Sequence, residues 1–247
     1  ILIALSISCY ILVEYFSWRT VLGLLGAICF ICSIAFLKLL RASRNFVQKK
    51  GLNLDFHMQM WRAHLSNTKL LRLFAIGFLL TSVFVTLFNY ATFRLSGAPY
   101  SLSQTQISLI FLSYSFGMVS SSLAGGLAYR FGKKTMMMSG FALMIVGSLM
   151  TLLSSLFGII IGIAFITTGF FITHSLTSSS VGAESKQAKA HASSLYLLFY
   201  YMGSSIVGSA GGWFWLHGGW NAIVGLTVVL SLLGIFLVIY TKHAKAH

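Results

Sequence analysis

Thr86, and one turn later Asn89 and Tyr90, set a hydroxyl, an amide and a phenol in the outer half of a mostly apolar stretch, 71–94. His174 does the same with an imidazole in the stretch 156–178, beside Thr167, Thr168 and Thr173. Tyr114 and Ser115, and then Tyr196, Tyr200 and Tyr201, add phenols to two further apolar stretches. A polar group placed where water is scarce needs an internal partner or a ligand. Amides, phenols and imidazoles serve both needs, since they join helices by hydrogen bonds and also hold a small organic solute through ring faces and polar tips. Both readings stand for each residue, and the candidate lining of a solute cavity is Thr86, Asn89, Tyr90, Tyr114, His174 and Tyr200. For proton movement the candidates are Glu14 and His174. The alternative for Glu14 is an interfacial carboxylate near Arg19, and for His174 a hydrogen bond to a neighbouring helix.

Other chemistries lack their residues. Glu14, Asp55 and Glu184 are the only acids, too scattered for a two-carboxylate mechanism or a hard-cation site. His57 and His64 stand seven apart with no cysteine or carboxylate at ligand spacing, and His243 and His247 read as a solvated tail. Cys9, Cys29 and Cys32 lie inside apolar stretches and read as small apolar groups. No glycine-rich phosphate loop and no serine elbow is present. The reading is therefore no enzyme, no cofactor and no metal.

The elements that must position these groups follow from length and charge. The chain is 57% hydrophobic and 8% charged, against about 25% charged in soluble domains. Eight stretches approach the roughly 20 residues needed to cross a bilayer as helix: 1–16, 20–40, 71–94, 104–128, 134–153, 156–178, 192–215 and 219–241. Fifteen of the seventeen Lys and Arg residues fall in every second gap, and the other gaps hold only Arg19 and Arg94. The positive-inside bias makes the basic gaps cytoplasmic. A net charge of +14 dispersed in this way suits anionic lipid and not nucleic acid. The fold class is all-α, a polytopic membrane protein.

Four parts follow along the chain. Residues 1–40 carry two helices, the first of which reads as starting within a span; 41–70 form a basic linker; 71–241 hold six helices; and 242–247 form a cytoplasmic tail. Within the linker, Leu52, Phe56 and Met60, with Trp61 beside them, form an apolar stripe. Such a helix can lie in the membrane interface or face a partner. Ser154-Ser155 and the segment from Leu216 to Gly219 are short enough to join only adjacent antiparallel helices. Glycines at helical spacing, Gly158 with Gly162 and Gly203 with Gly208, Gly211 and Gly212, allow close backbone approach in lipid.

After the fourth stretch the sequence runs Gly125-Gly126-Leu127-Ala128-Tyr129-Arg130-Phe131-Gly132-Lys133-Lys134, read as glycines allowing a tight turn between two antiparallel helices and cations meeting helix ends. This segment resembles the G-x-L-A-D-R-x-G-R-K loop of the major facilitator superfamily, in its copy between helices eight and nine. Gly125, Leu127, Ala128, Arg130 and Gly132 match, Lys133 and Lys134 match conservatively, and Tyr129 replaces the aspartate. Two helices, a basic linker and six more helices resemble helices five to twelve of that twelve-helix fold. Phe16-Ser17-Trp18-Arg19 and Gly218-Gly219-Trp220-Asn221 sit at equivalent places in the two halves, as internal repeats produce.

The resemblance implies a secondary transporter that moves a small organic solute by alternating access in a bacterial inner membrane, with Gly125, Arg130, Gly132, Lys133 and Lys134 as a conformational latch. The subfamily it resembles is the efflux-type drug:proton antiporter branch, whose glycine- and proline-rich helix-five motif is missing from residues 1–16. Implied partners are the solute, protons and the bilayer, with no nucleic acid and a full-length monomer. A non-transporting membrane scaffold is the alternative.

Overall fold

The computed structural model describes residues 17–39, 53–185 and 187–240, so the first apolar stretch with Cys9 and Glu14, the basic run 40–52 and the tail lie outside the described residues. The helices are α1 Trp18–Leu39, α2 Leu54–Ser66, α3 Thr68–Ser96, α4 Gln104–Ile110, α5 Tyr114–Phe131, α6 Lys133–Met150, α7 Leu156–Glu184 and α8 Lys189–Tyr240. Among the described residues there is no strand.

α8 is two helices that meet at Gly219, whose φ of 57° and ψ of −147° break the helical run. Trp220 hydrogen-bonds Thr151 at one end of the bundle. His191 near the start of α8 and Tyr240 at its end both meet the linker side, through His57 and Arg72. The limb ending at Gly218 and the limb beginning at Trp220 therefore run antiparallel with no loop between them. Glycine makes this possible, because the left-handed region costs it no Cβ clash. The stretches 192–215 and 219–241 are thus two spans joined by one residue.

One further expectation changes. The stretch 104–128 is not one helix but α4, a 3₁₀ turn at Phe111–Ser113, and α5. Of the three glycines in the run expected to turn the chain, Gly125 and Gly126 lie inside α5, and the reversal falls at Gly132, which has φ 87° and whose N–H donates to Ala128 O at 2.9 Å. Of these three glycines, only Gly132 has the positive φ a Cβ would resist.

α6 and α7 form the tightest seam. A Cβ on Gly147 would stand 2.5 Å from Gly162 O, and one on Gly162 would stand 2.6 Å from Gly147 O. Seven residues along each helix, Gly140 and Gly169 repeat the meeting, with a Cβ on Gly140 placed 2.7 Å from Gly169 O. Two glycine pairs at heptad spacing bring the backbones together where dispersion, not hydrophobic exclusion, drives association in lipid. Thr173 seals this seam by donating to Met137 O at 3.4 Å and Gly169 O at 2.9 Å.

α3 and the first limb of α8 run parallel and close. Gly203 packs on the backbone of Phe78, Thr81 Oγ1 donates to Tyr200 O at 2.7 Å, and Ser82 Oγ donates to Gly203 O at 3.2 Å. The core between the six helices includes Leu70, Phe74, Leu80, Phe141, Met144, Ile166 and Ile223, all fully buried. Outside it, α1 is exposed along nearly its whole length, with Cys29 and Cys32 as exposed free thiols.

Candidate functional site

Four helices bring their rings to one place. Phe84 of α3 stacks on Phe170 of α7 at 4.0 Å between centroids, and Tyr114 of α5 stands edge-on to Phe84 at 5.6 Å. Phe171 closes against Tyr114 and Phe170. One turn on, His174 lies parallel to Phe170 at 5.7 Å, and its Nδ1 sits 3.1 Å from the hydroxyl of buried Tyr196 on α8. Tyr200 covers the imidazole at 5.1 Å. Room for these rings comes from small neighbours: Gly77 against the Tyr196 ring and Gly117 against Phe171. The result is a wall of π faces with one imidazole and three phenols, suited to a flat or cationic organic group.

The six expected lining residues divide. Tyr114, His174 and Tyr200 come together in this cluster. Tyr90 is buried elsewhere, donating to Gly208 O at 3.1 Å and stacking on Trp215 at 6.0 Å, which makes it a clamp between α3 and α8. Thr86 is fully buried, and its Oγ1, like that of Ser113, has no hydrogen-bond partner among the described residues. Asn89 is exposed on the surface of α3, beside Gly208. Thr167 and Thr173 do not serve His174, since both hydroxyls bond carbonyls one turn back, at Ile163 and Gly169. Phe84, Phe170, Phe171 and the Tyr196 partnership were not among the expected lining residues. A phenylalanine in an apolar stretch carries no signal of its own, and only the packing distinguishes these three from other phenylalanines.

The expected latch residues sit at the basic end of the bundle. Gly132 forms the turn, Gly125 faces open space, Lys133 is exposed, and Arg130 lies over the Phe131 ring at 5.3 Å. Lys134 Nζ donates to Ile239 O at 2.6 Å, and Arg72 donates to Tyr240 O. These cations thereby complete the unpaired carbonyls and the negative dipole end of α8. Lys69 pairs with Glu184 at 3.3 Å, joining the start of α3 to the end of α7. At the far end Arg94 lies over the Trp220 ring at 5.1 Å and donates to Leu153 O at 3.3 Å.

Residues 93–247 match the Major Facilitator Superfamily. The chain belongs to that superfamily. It is 39% identical over 94% of its length to an uncharacterised transporter of Buchnera aphidicola from Schizaphis graminum. It is also 40% identical over 92% to the uncharacterised MFS-type transporter YybF of Bacillus subtilis, and 40% identical over 95% to the inner membrane transport protein YnfM of Escherichia coli K12. The chain spans 56% of the length of each of these relatives. A superfamily member with helices of this length and apolarity is an integral, multi-pass membrane protein. The relatives' names are those of transporters and not of enzymes. The glycine seams and the unbroken backbone ladders of α3 and α7 fit the requirement that lipid-embedded polypeptide satisfy its own hydrogen bonds.

Proposed function

We propose that the whole protein is a secondary transporter that exports a small aromatic organic solute, with the six helices α3 to α8 rocking against the other half around a site near mid-depth. The observation that carries this reading is the Phe84, Tyr114, Phe170, His174, Tyr200 wall, in which a hydrogen-bonded imidazole stands among ring faces. Burial of rings against rings supplies affinity, and the His174–Tyr196 pair supplies a polar handle whose proton can be exchanged. In this reading the basic end faces the cytoplasm, and Gly125, Arg130, Gly132, Lys133 and Lys134 meet the other half when the inner side is closed. In the tautomer with Nδ1 bare, His174 accepts a hydrogen bond from the Tyr196 hydroxyl; a proton taken up at Nδ1 would turn that bond round, and this is how the pair would couple a proton to solute release.

Cells expressing the full-length protein should accumulate less ethidium, a flat aromatic cation, than cells lacking it. His174→Ala should restore accumulation while the protein stays in the membrane in equal amount. Equal ethidium in cells with and without the wild-type protein would count against export of aromatic cations. Wild-type export that survives His174→Ala and Tyr196→Phe would remove the pair from the mechanism.

A further inference from the structure

A cavity opens at the end of the bundle away from the basic gaps, between α4, the 3₁₀ turn that follows it, and the start of α7. Its volume of about 430 Å³ falls within the roughly 300–1,000 Å³ of small-molecule sites. Leu109, Leu112, Phe116, Leu156, Ile160 and Ala164 supply most of the wall, and among the described residues no ionisable side chain lines it. Gln106, exposed near the start of α4, marks the outer rim. Ser113 lines the cavity too, seven residues and about 10 Å further in. It is 5% exposed, and its hydroxyl has no partner among the described residues. Buried Ser108 and Ser120, before and after it, behave otherwise: they donate to Thr105 O at 2.7 Å and to Gly117 O at 3.0 Å. That back-bonding is the usual fate of a helical serine, whereas Ser113 ends the 3₁₀ turn Phe111–Ser113 and makes no such bond.

We infer that this cavity binds an uncharged aliphatic alcohol, which enters hydroxyl first from the side opposite the basic gaps and exchanges hydrogen bonds with Ser113 Oγ. Three observations select that chemistry. The lining is aliphatic apart from Phe116 and the two polar residues, so it suits a flexible hydrocarbon chain rather than a flat ring. Without an ionisable residue in the wall, a charged head would be buried unpaired, so the head is neutral. Finally, the unmet hydroxyl lies deep and asks for a partner that can both donate and accept. The acyl chain of a phospholipid carries no polar atom at that depth and would leave Ser113 as it stands. The cavity is separate from the ring wall: Ala164, its furthest residue along α7, stands seven residues and about 10 Å before Phe171. The inference does not rest on the transport reading.

The test uses the full-length protein in phosphatidylcholine vesicles and a photoreactive octanol that carries a diazirine, with 1-octanol and n-octane as competitors and mass spectrometry to place the adducts. Adducts should concentrate on residues 102–116 and 156–164 and disappear saturably as 1-octanol is added. Ser113→Ala should raise the 1-octanol concentration needed for half-displacement at least about fivefold, the loss of one hydrogen bond to the ligand, and leave that of n-octane unchanged. Labelling that never saturates and spreads over the exposed helix α1 would overturn the proposal in favour of partition into the bilayer. Saturable labelling in which Ser113→Ala moves neither competitor would overturn it in favour of a lipid chain, and adducts on Phe84, Phe170 or His174 instead would place the alcohol at the ring wall. Stability gives an independent reading. Without ligand, Ser113→Ala removes a hydroxyl that bonds nothing, so the variant should melt no lower than wild type; a lower melting temperature would show that the hydroxyl already has a partner and would equally overturn the assignment.

Discussion

Replacing Gly147 by alanine sets two known effects against each other at one point. Alanine favours helix over glycine by about 1 kcal/mol, so an unpacked site gains stability. At Gly147, however, the new Cβ would stand 2.5 Å from Gly162 O and 2.9 Å from both the nitrogen and Cγ1 of Ile166. Ordinary contact begins near 3.4 Å, so the seam would have to open by the difference of 0.9 Å between 3.4 and 2.5 Å. Two of the three atoms met are backbone, so no change of rotamer relieves the clash. Overpacking of this kind costs about 1–3 kcal/mol, and opening the seam also loosens the Gly140–Gly169 meeting one heptad away. Gly126, inside α5 with nothing within 4 Å of its Cβ direction, is the control. Thermal unfolding of the full-length protein in detergent should place Gly147→Ala below wild type by up to about 2 kcal/mol after the propensity gain. Gly126→Ala should lie at or above wild type. If Gly147→Ala melted at or above wild type, the close packing of α6 on α7 would be refuted as the feature that holds these helices together.

Tyr196→Phe removes the hydroxyl 3.1 Å from His174 Nδ1 while keeping the ring. An orphaned buried partner costs about 1–3 kcal/mol, so the variant should unfold earlier, and a melting curve equal to wild type would show that the imidazole is satisfied another way. Lys134→Met deprives Ile239 O of its cation. Charge at a helix C-terminus is worth about 0.3–1 kcal/mol, so amide exchange in residues 236–240 should quicken, and unchanged exchange would mean that the contact holds nothing. The contact between His57 of α2 and His191 of α8 predicts a pH dependence. Partial desolvation, then the neighbouring His57 and His64, hold His191, which precedes the apolar stretch 192–215, below the ordinary 6.5. A base with a lowered value in the docked state stabilises docking above 6.5, and that stability is lost as pH falls through the lowered value. Asp55 and Arg62 on α2, Lys189 on α8, and the Lys69–Glu184 pair are the other charged groups nearby in the chain. Protonation of His191 beside the imidazole 2.7 Å away removes that preference for the docked state, so a nitroxide on a cysteine at residue 58 should become more mobile as the pH falls below 6.5. Mobility flat across that range would sever the dyad from α2 docking.

Spans, basic gaps and the superfamily were legible in the chain because membrane insertion is decided by local composition: twenty apolar residues and a flanking cation act wherever they fall. For the same reason the single reversing residue at Gly219 was bounded to a few positions, and the loop from Gly125 to Lys134 could be read as a motif. Tertiary packing decided what could not be counted along the chain. Which turn of α3 faces inward made Tyr90 a clamp and left Asn89 outside, although the two are adjacent. The pairing of Gly140 with Gly169 and Gly147 with Gly162 depends on the register of two helices, which no single helix specifies. His174 found Tyr196 rather than its neighbouring threonines, because a helical threonine hydroxyl reaches its own preceding carbonyl more readily than another side chain. The sequence placed helices in the bilayer by the energy of transfer; their mutual rotation, and with it the wall of rings around His174, came from the close fit of small residues against large ones.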